Sequence, residues 1–383
     1  MASVTAYLYP WDVVGDPDVL QRLRLVGADR VALAACYHGV RAATPAHPWH
    51  RVVSSPVTSL FVPVREQAWA DAALAPQAAK LVAGGENAFV TAAAGLRAGG
   101  FAVDAWIVLA HVDGLKAAPE LRVTNAWGDA YSHALCPSQP DVVEYARRVT
   151  REVIELGRPD GLIIEAAGPM PFGHAGTHEK TDAAGFSRPQ QDLLSVCFCP
   201  GCSAGYRRSG ADAVSLATRV RGEFARAEDA RQALGDAAEA VLAVRARASR
   251  EVWTAVVEQA HALSVDRIAF HASAAPFPSG SGTTALASRD LAVLTRSVAL
   301  ELVASGWDER RAVGNMSALA TSALGCAMGS FVSIAGGNLP AVDRLRELFD
   351  SLMVAGAGRL HLYHLGLAEL SRVRVASEAL ARA

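Results

Sequence analysis

The feature that most constrains this chain is an alternation. Eight short apolar or β-branched runs fall at 3–9, 29–37, 101–112, 159–167, 266–273, 297–305, 329–337 and 358–366. Ala-, Leu- and Arg-rich stretches with helical spacing separate them. These lie at about 65–99, broken near Gly84–Gly85, then at 140–157, 211–262 with a hinge near Gly235, 308–322 and 340–355. Asp16 and Pro17 stand where an N-cap and a first helical residue belong. Strands that alternate with helices build parallel sheets from βαβ units. The runs are apolar throughout, as strands are when both faces are covered. Eight units in 383 residues predict a (β/α)8 TIM barrel, one α/β domain over 1–383. A doubly wound open sheet is the rival, but that fold usually carries a Gly-rich phosphate loop after its first strand. The first run here ends in Tyr9-Pro10-Trp11-Asp12. The longest excursion, 166–210, is an insertion after the fourth strand.

Composition narrows the function classes. Apolar residues make up 51% of the chain and charged ones 19%, with a formal net charge of −2. That excludes long disorder and argues against a nucleic-acid partner, because little here would neutralise a phosphate backbone. The longest apolar stretches are about 8–10 residues against the ~20 that span a bilayer, so no membrane partner is expected. The N-terminus has no basic region followed by an apolar run and a small-residue cleavage site, so it reads as a first strand and the protein as cytoplasmic. Self-association into a homo-oligomer is compatible with the sequence.

In a barrel, residues at the C-terminal ends of strands face the active site. Those positions here carry Tyr9, Trp11, Tyr37, His38, His111, His271, Tyr363 and His364, with Asn125, His174 and Trp307 in the loops beyond. Most of the eleven histidines sit at this edge. Aromatic faces for C–H surfaces and polar groups for hydroxyls make a pocket suited to a small carbohydrate or glycoside. Glu165 directly follows Leu162-Ile163-Ile164, where an unpaired carboxylate is costly unless paired or used. Glycoside hydrolysis needs two carboxylates. Glu165 is the expected acid/base and Glu301, inside VALELVASGW, its expected partner, with Asp113 and Asp12 as alternatives. The His174-x-x-x-His178-Glu179 stretch is not H-E-x-x-H, and its Gly and Pro neighbours suggest a covering loop.

Cys197-Phe198-Cys199-Pro200-Gly201-Cys202 is a C-x-C-x-x-C motif. In a reducing compartment such clustering favours a metal over disulfides. Three thiolates fill three tetrahedral zinc positions, and Cys136, after the third strand, is placed to be the fourth. The expected cofactor is a structural zinc held by Cys136, Cys197, Cys199 and Cys202. Cys36 and Cys326 read as core residues.

Three stretches together resemble the glycoside hydrolase clan of (β/α)8 barrels: LCPSQPDVVEYARRVTREVIE (135–155), RPDGLIIE (158–165) and CFCPGCSAGYRR (197–208). The likeness is to family 42 β-galactosidases and to glycosyl-hydrolase-like families of bacterial genomes. It implies a hydrolase acting on a glycosidic bond, with a Cys after strand three joining C-x-C-x-x-C around zinc. The departures are specific. In that clan the acid/base Glu follows Asn, whereas Ile164 precedes Glu165. The nucleophilic Glu belongs at the end of strand seven, where GSFVSIAGGN has no carboxylate. The alternative is a non-hydrolytic TIM barrel, either a sugar-binding pseudo-enzyme or a metal-dependent isomerase-like enzyme.

Overall fold

The computed structural model describes residues 3–79, 85–174, 180–278, 280, 282–305, 309–323, 325–337 and 339–381. Eight parallel strands close on themselves: β1 (Ser3–Leu8), β2 (Arg30–Tyr37), β3 (Ala102–Val108), β4 (Gly161–Glu165), β5 (Arg267–Ser273), β6 (Ala299–Ala304), β7 (Ala327–Ser333) and β8 (Arg359–Tyr363). β8 pairs with β1 through Ser3–Arg359 to Ala6–Leu362, and that pairing completes the (β/α)8 barrel. The strands are buried almost end to end because the interior covers one face and the helices the other.

Helices return the chain from each strand to the next: α1 (Val19–Leu25), α2 (Ala88–Ala98) and α3 (Pro140–Gly157), then α4 (Arg188–Leu194), α5 (Pro200–Arg208), α6 (Ala213–Glu223) and α7 (Ala230–Leu234) within the long β4 excursion. α8 (Ala238–Ala262), α9 (Ser288–Leu294), α10 (Glu309–Ser322), α11 (Val342–Val354) and α12 (Leu370–Leu380) complete the ring. α3 shows the local logic. Pro140 occupies its first turn, Val142, Tyr145, Ala146, Val149 and Val153 form the buried stripe, and Arg158 in a left-handed conformation ends it.

Three expectations need correction. The stretch at 65–99 is not one continuous helical region: its described residues hold a one-turn helix at Glu66–Trp69, a short extended piece at Gln77–Ala78, a 3-10 turn at Gly85–Asn87 and then α2. Ala-rich composition carried that reading, but Pro76 interrupts the turns. α1 begins at Val19, not at Pro17, because Asp16 is spent on Arg22 and on the Asp18 amide. The third run stops as a strand at Val108, and its remainder turns to meet an antiparallel ribbon, Arg122–Thr124 with Ala130–Leu135.

The N-terminal end of the barrel interior is closed by ion pairs. Arg30 Nε donates to Asp104 Oδ2 at 2.8 Å, and Asp104 is fully buried. Arg267 lies 3.7 Å from the same carboxylate and donates to Glu301. Arg359 clamps Asp29 beside them. Asp29, Asp104 and Glu301 thus each face an arginine at this end.

Candidate active site

Glu165 is the last residue of β4, so its carboxylate stands at the C-terminal rim. It is 8% exposed. Its Oε2 accepts a hydrogen bond from Trp106 Nε1 at 2.8 Å and lies 4.0 Å from His271 Nδ1. Among the described residues no arginine or lysine pairs with it. Its negative charge is felt at Tyr7, Tyr37, Tyr363 and His174, which places these groups around it.

Glu301 does not share this position. Its register partner on β5 is Ala269, two residues before His271, whereas Ile164 pairs with Phe270 next to His271. At about 3.3 Å per residue, Glu301 sits roughly 6–7 Å nearer the N-terminal end. It is held there by Arg267 and by His361 Nε2 at 3.2 Å. Burial works to raise its pKa, but the bond and charge of His361, with Arg267, outweigh that and hold it at about 2. Gly329 leaves the room for this pair, since an added Cβ would stand 2.6 Å from Glu301 Oε1 and 2.8 Å from the His361 ring. The expected facing pair of carboxylates is therefore corrected to two carboxylates on different levels.

A buried polar column joins those levels. The Tyr7 hydroxyl lies 2.8 Å from His271 Nε2 and 3.1 Å from His361 Nδ1. With one proton on His361, held on Nε2 by Glu301, Tyr7 donates to His361 and accepts from His271. His271 Nδ1 then faces Glu165 as an acceptor. Burial lowers the pKa of His271 to about 4. His361 was already legible at the end of the eighth run, whereas Tyr7 and Trp106 escaped the reading of strand ends. Strand parity marks Tyr7 and His361, each two residues before Tyr9 or Tyr363, as facing the same interior.

The remaining expected contacts divide into floor and rim. Tyr9 stacks on Trp11 at 4.5 Å and on His364 at 4.4 Å, and all three are essentially inaccessible. They form a floor rather than open platforms for a sugar. Tyr37 joins them edge-on at 5.1 Å. Asp12 lies within this floor, its Oδ2 accepting from the Tyr9 amide, and burial raises its pKa to about 7. Burial likewise depresses His364 to about 3. Asn125 is spent on its own loop, bonding Asp129, Tyr131 and the Trp127 amide. His38, Tyr363 and His174 are partly exposed at the rim, where the ribbon after β3 adds Tyr131 and His133. His174 Nε2 lies 3.1 Å from His111 Nδ1. Trp307 and His178 lie outside the described residues.

The four cysteines come together as a cluster of their own. Cys136 Sγ lies 3.5 Å from Cys202 Sγ, 3.5 Å from Cys199 Sγ and 3.7 Å from Cys197 Sγ, with all four buried. Tetrahedral metal–sulfur bonds of about 2.3 Å put sulfurs about 3.8 Å apart, so the spacing is compatible with a metal site. Backbone amides of Thr124, Cys199 and Cys202 donate to these sulfurs, as they would to thiolates. Sulfurs so close suppress one another's ionisation. The Cys136 pKa is pushed far up by its bonds with Cys197 and the other two. A bound cation would remove that conflict. The cluster pins the ribbon after β3 to α5.

Open clefts of about 460, 570 and 820 Å³ lie on the outer flank, lined by residues such as Arg65, Glu144, Asp212 and Arg250. Their charges are largely spent on each other, as in Arg65–Glu152 and Arg148–Glu144. The unpaired carboxylate and most of the histidines lie at the rim instead.

No protein-family model and no curated protein sequence matches the chain. Solved structures do. The glycoside hydrolase domain of PgaB (BpsB) from Bordetella bronchiseptica matches with a TM-score of 0.57 at 14% identity, over 95% of this chain and 94% of that one. The catalytic domain of β-amylase from Paenibacillus polymyxa matches at 0.54 and 10% identity, over 97% and 94%. α-L-Fucosidase isoenzyme 2 from Paenibacillus thiaminolyticus matches at 0.55 and 12% identity, over all of this chain and 49% of that one. At such identities the likeness is one of fold alone: the (β/α)8 barrel that these three glycoside-acting proteins share. Family 42 is not singled out. Among the described residues no helix is long and apolar enough to cross a membrane.

Proposed function

We propose that this chain is a carbohydrate-active enzyme that cleaves a glycosidic bond, with Glu165 as the proton donor. The observation that carries this reading is Glu165 itself. It is a rim carboxylate with no arginine or lysine partner among the described residues, oriented by Trp106 and surrounded by tyrosine and histidine. General acid catalysis needs a carboxyl group that can carry a proton, and a fixed arginine or lysine beside it would hold it ionised. His38, His174 and Tyr363 would contact the sugar from the rim, over the aromatic floor of Tyr9, Trp11, Tyr37 and His364. Glu301 takes a positioning role, anchoring the His361–Tyr7–His271 column beneath the donor. The four cysteines would hold a structural zinc that fixes the loops after β3 and β4, much as the resemblance to family 42 implies.

The test is Glu165→Gln, which keeps shape and the Trp106 bond but removes the proton. Turnover of the glycoside that the wild type cleaves should fall about 10²–10⁴-fold, with binding retained. Unchanged turnover would remove Glu165 from this role. A wild type inert on a broad glycoside panel, yet binding sugars, would replace the enzyme by a sugar-binding barrel.

A further inference from the structure

Proton donation by Glu165 leaves a second group of ligand-bearing side chains at the rim unexplained. One ring nitrogen each of His38 and His111 and one carboxylate oxygen of Asp113 lie within 4.8 Å of one another. His38 directly follows β2, and His111 and Asp113 lie just beyond β3, so two neighbouring strands deliver them. His111 is 2% exposed, and its Nε2 has no hydrogen-bond partner among the described residues. The His38 and His111 rings stack at 3.9 Å, and His174 touches His111 from the other loop.

The group is also held in place from behind. Gly39 uses both its backbone groups: its amide donates to Asp113 Oδ2 at 3.0 Å and its carbonyl accepts from His38 Nδ1 at 2.9 Å. A Cβ at Gly39 would stand 2.7 Å from the Pro56 carbonyl oxygen and 3.0 Å from Asp113 Cβ, so only glycine makes this approach. The Asp113 backbone is fixed in turn, its amide donating to Thr58 Oγ1 at 2.8 Å and its carbonyl accepting from the Thr58 amide at 2.7 Å. Oriented ligands with their own supporting contacts are how proteins build metal sites.

We propose that His38, His111 and Asp113 bind a divalent transition-metal cation at the barrel mouth, separate from the sulfur cluster. Two imidazoles and one carboxylate suit zinc, cobalt, nickel, manganese or iron rather than calcium. Three protein ligands leave coordination positions open to water or substrate oxygens, unlike a closed four-thiolate site. Ligand bonds of about 2.0–2.2 Å require the three atoms to draw inward. The His38 and Asp113 side chains, 18% and 24% exposed, have the room to do so. The proposal stands whether or not Glu165 cleaves a glycoside.

Cobalt distinguishes the two sites. Full-length protein is stripped with a mild chelator, analysed for the metal its thiolates retain, and titrated with Co²⁺. One further cobalt should bind per chain, with visible d–d absorption and without the intense sulfur-to-cobalt charge-transfer band. Asp113→Asn and His111→Gln should each weaken this binding about tenfold or more, with the retained thiolate metal unchanged. Asp113 is the more exposed, so Asp113→Asn carries the test if His111→Gln fails to fold. No saturable cobalt uptake, uptake undiminished in folded Asp113→Asn, or cobalt that binds only with the sulfur band would each overturn the proposal. Glycoside turnover is scored separately.

Discussion

The two ends of the barrel both carry carboxylates and treat them in opposite ways. At the N-terminal end Asp29, Asp104 and Glu301 each face arginine, and the charges are neutralised in place. At the C-terminal end Asp12, Glu165 and Asp113 face amides, indole and imidazole. Buried polar atoms without partners among the described residues collect there, including Trp11 Nε1, Asp12 Oδ1, His111 Nε2, His271 Nδ1 and His364 Nε2. A fold does not gather unsatisfied groups at one end for stability, since each costs about 1–3 kcal/mol. The lower end is therefore built as a structural lock and the upper end is the candidate working surface, the end that carries active sites in barrels generally.

That contrast is sharpest in stability. Glu301→Ala leaves Arg267 and His361 without their common partner and should cost about 3–5 kcal/mol, the usual loss on breaking a buried pair. Glu165→Gln keeps the Trp106 bond and should stay within about 1 kcal/mol of wild type. Denaturant titration of both variants checks this. Equal losses would erase the distinction between lock and working surface.

Acid should separate the two ends by pH. His271 and His174 are depressed to about 4 and His364 to about 3, chiefly by burial. As pH falls below their ordinary value of 6.5 the unfolded chain takes up protons first, so stability declines from pH 6.5 towards 4. Asp12, raised to about 7, works the other way between pH 7 and 3.8 and offsets roughly one histidine. Glu301, lowered from 4.5 to about 2, contributes about 3 kcal/mol that is present above pH 4.5 and lost as pH falls towards 2. Denaturation midpoints across this range should show both declines in wild type and only the upper one in Glu301→Gln. A decline that begins only below pH 4.5 would refute the histidine assignment.

The smallest effect tests how closely the lock is fitted. Gly329→Ala drives a methyl group against Glu301 Oε1 and the His361 ring. Overpacking of this kind costs about 1–3 kcal/mol, to be read from the same titration. A neutral substitution would mean that the pair has slack.

Much of this was legible in the chain. Closure into eight parallel strands follows from eight apolar runs, because a strand apolar on both faces must be covered on both. The cysteine cluster was legible in the C-x-C-x-x-C spacing, and the neighbouring strands three and four placed Cys136 beside it. Glu165 and Glu301 present the same signature, a glutamate in an apolar run, yet differ in where the run continues. Leu302-Val303-Ala304 extend the strand beyond Glu301, whereas Glu165 ends its own. Asn125 gave no such cue, since its Asx-type bonds to its own loop resemble any binding amide in sequence.

Sequence alone therefore determined the barrel and the grouping of the four cysteines, because periodicity and local spacing are properties of consecutive residues. Only the tertiary structure decided which carboxylate is paired and which is not. It also decided that Tyr9 and Trp11 pave a floor, and that Tyr7 links two histidines into one column. Those outcomes depend on strand stagger, the offset between neighbouring strands that closing a barrel imposes. Stagger sets the height of each side chain against partners far away in the chain, and no single segment encodes it.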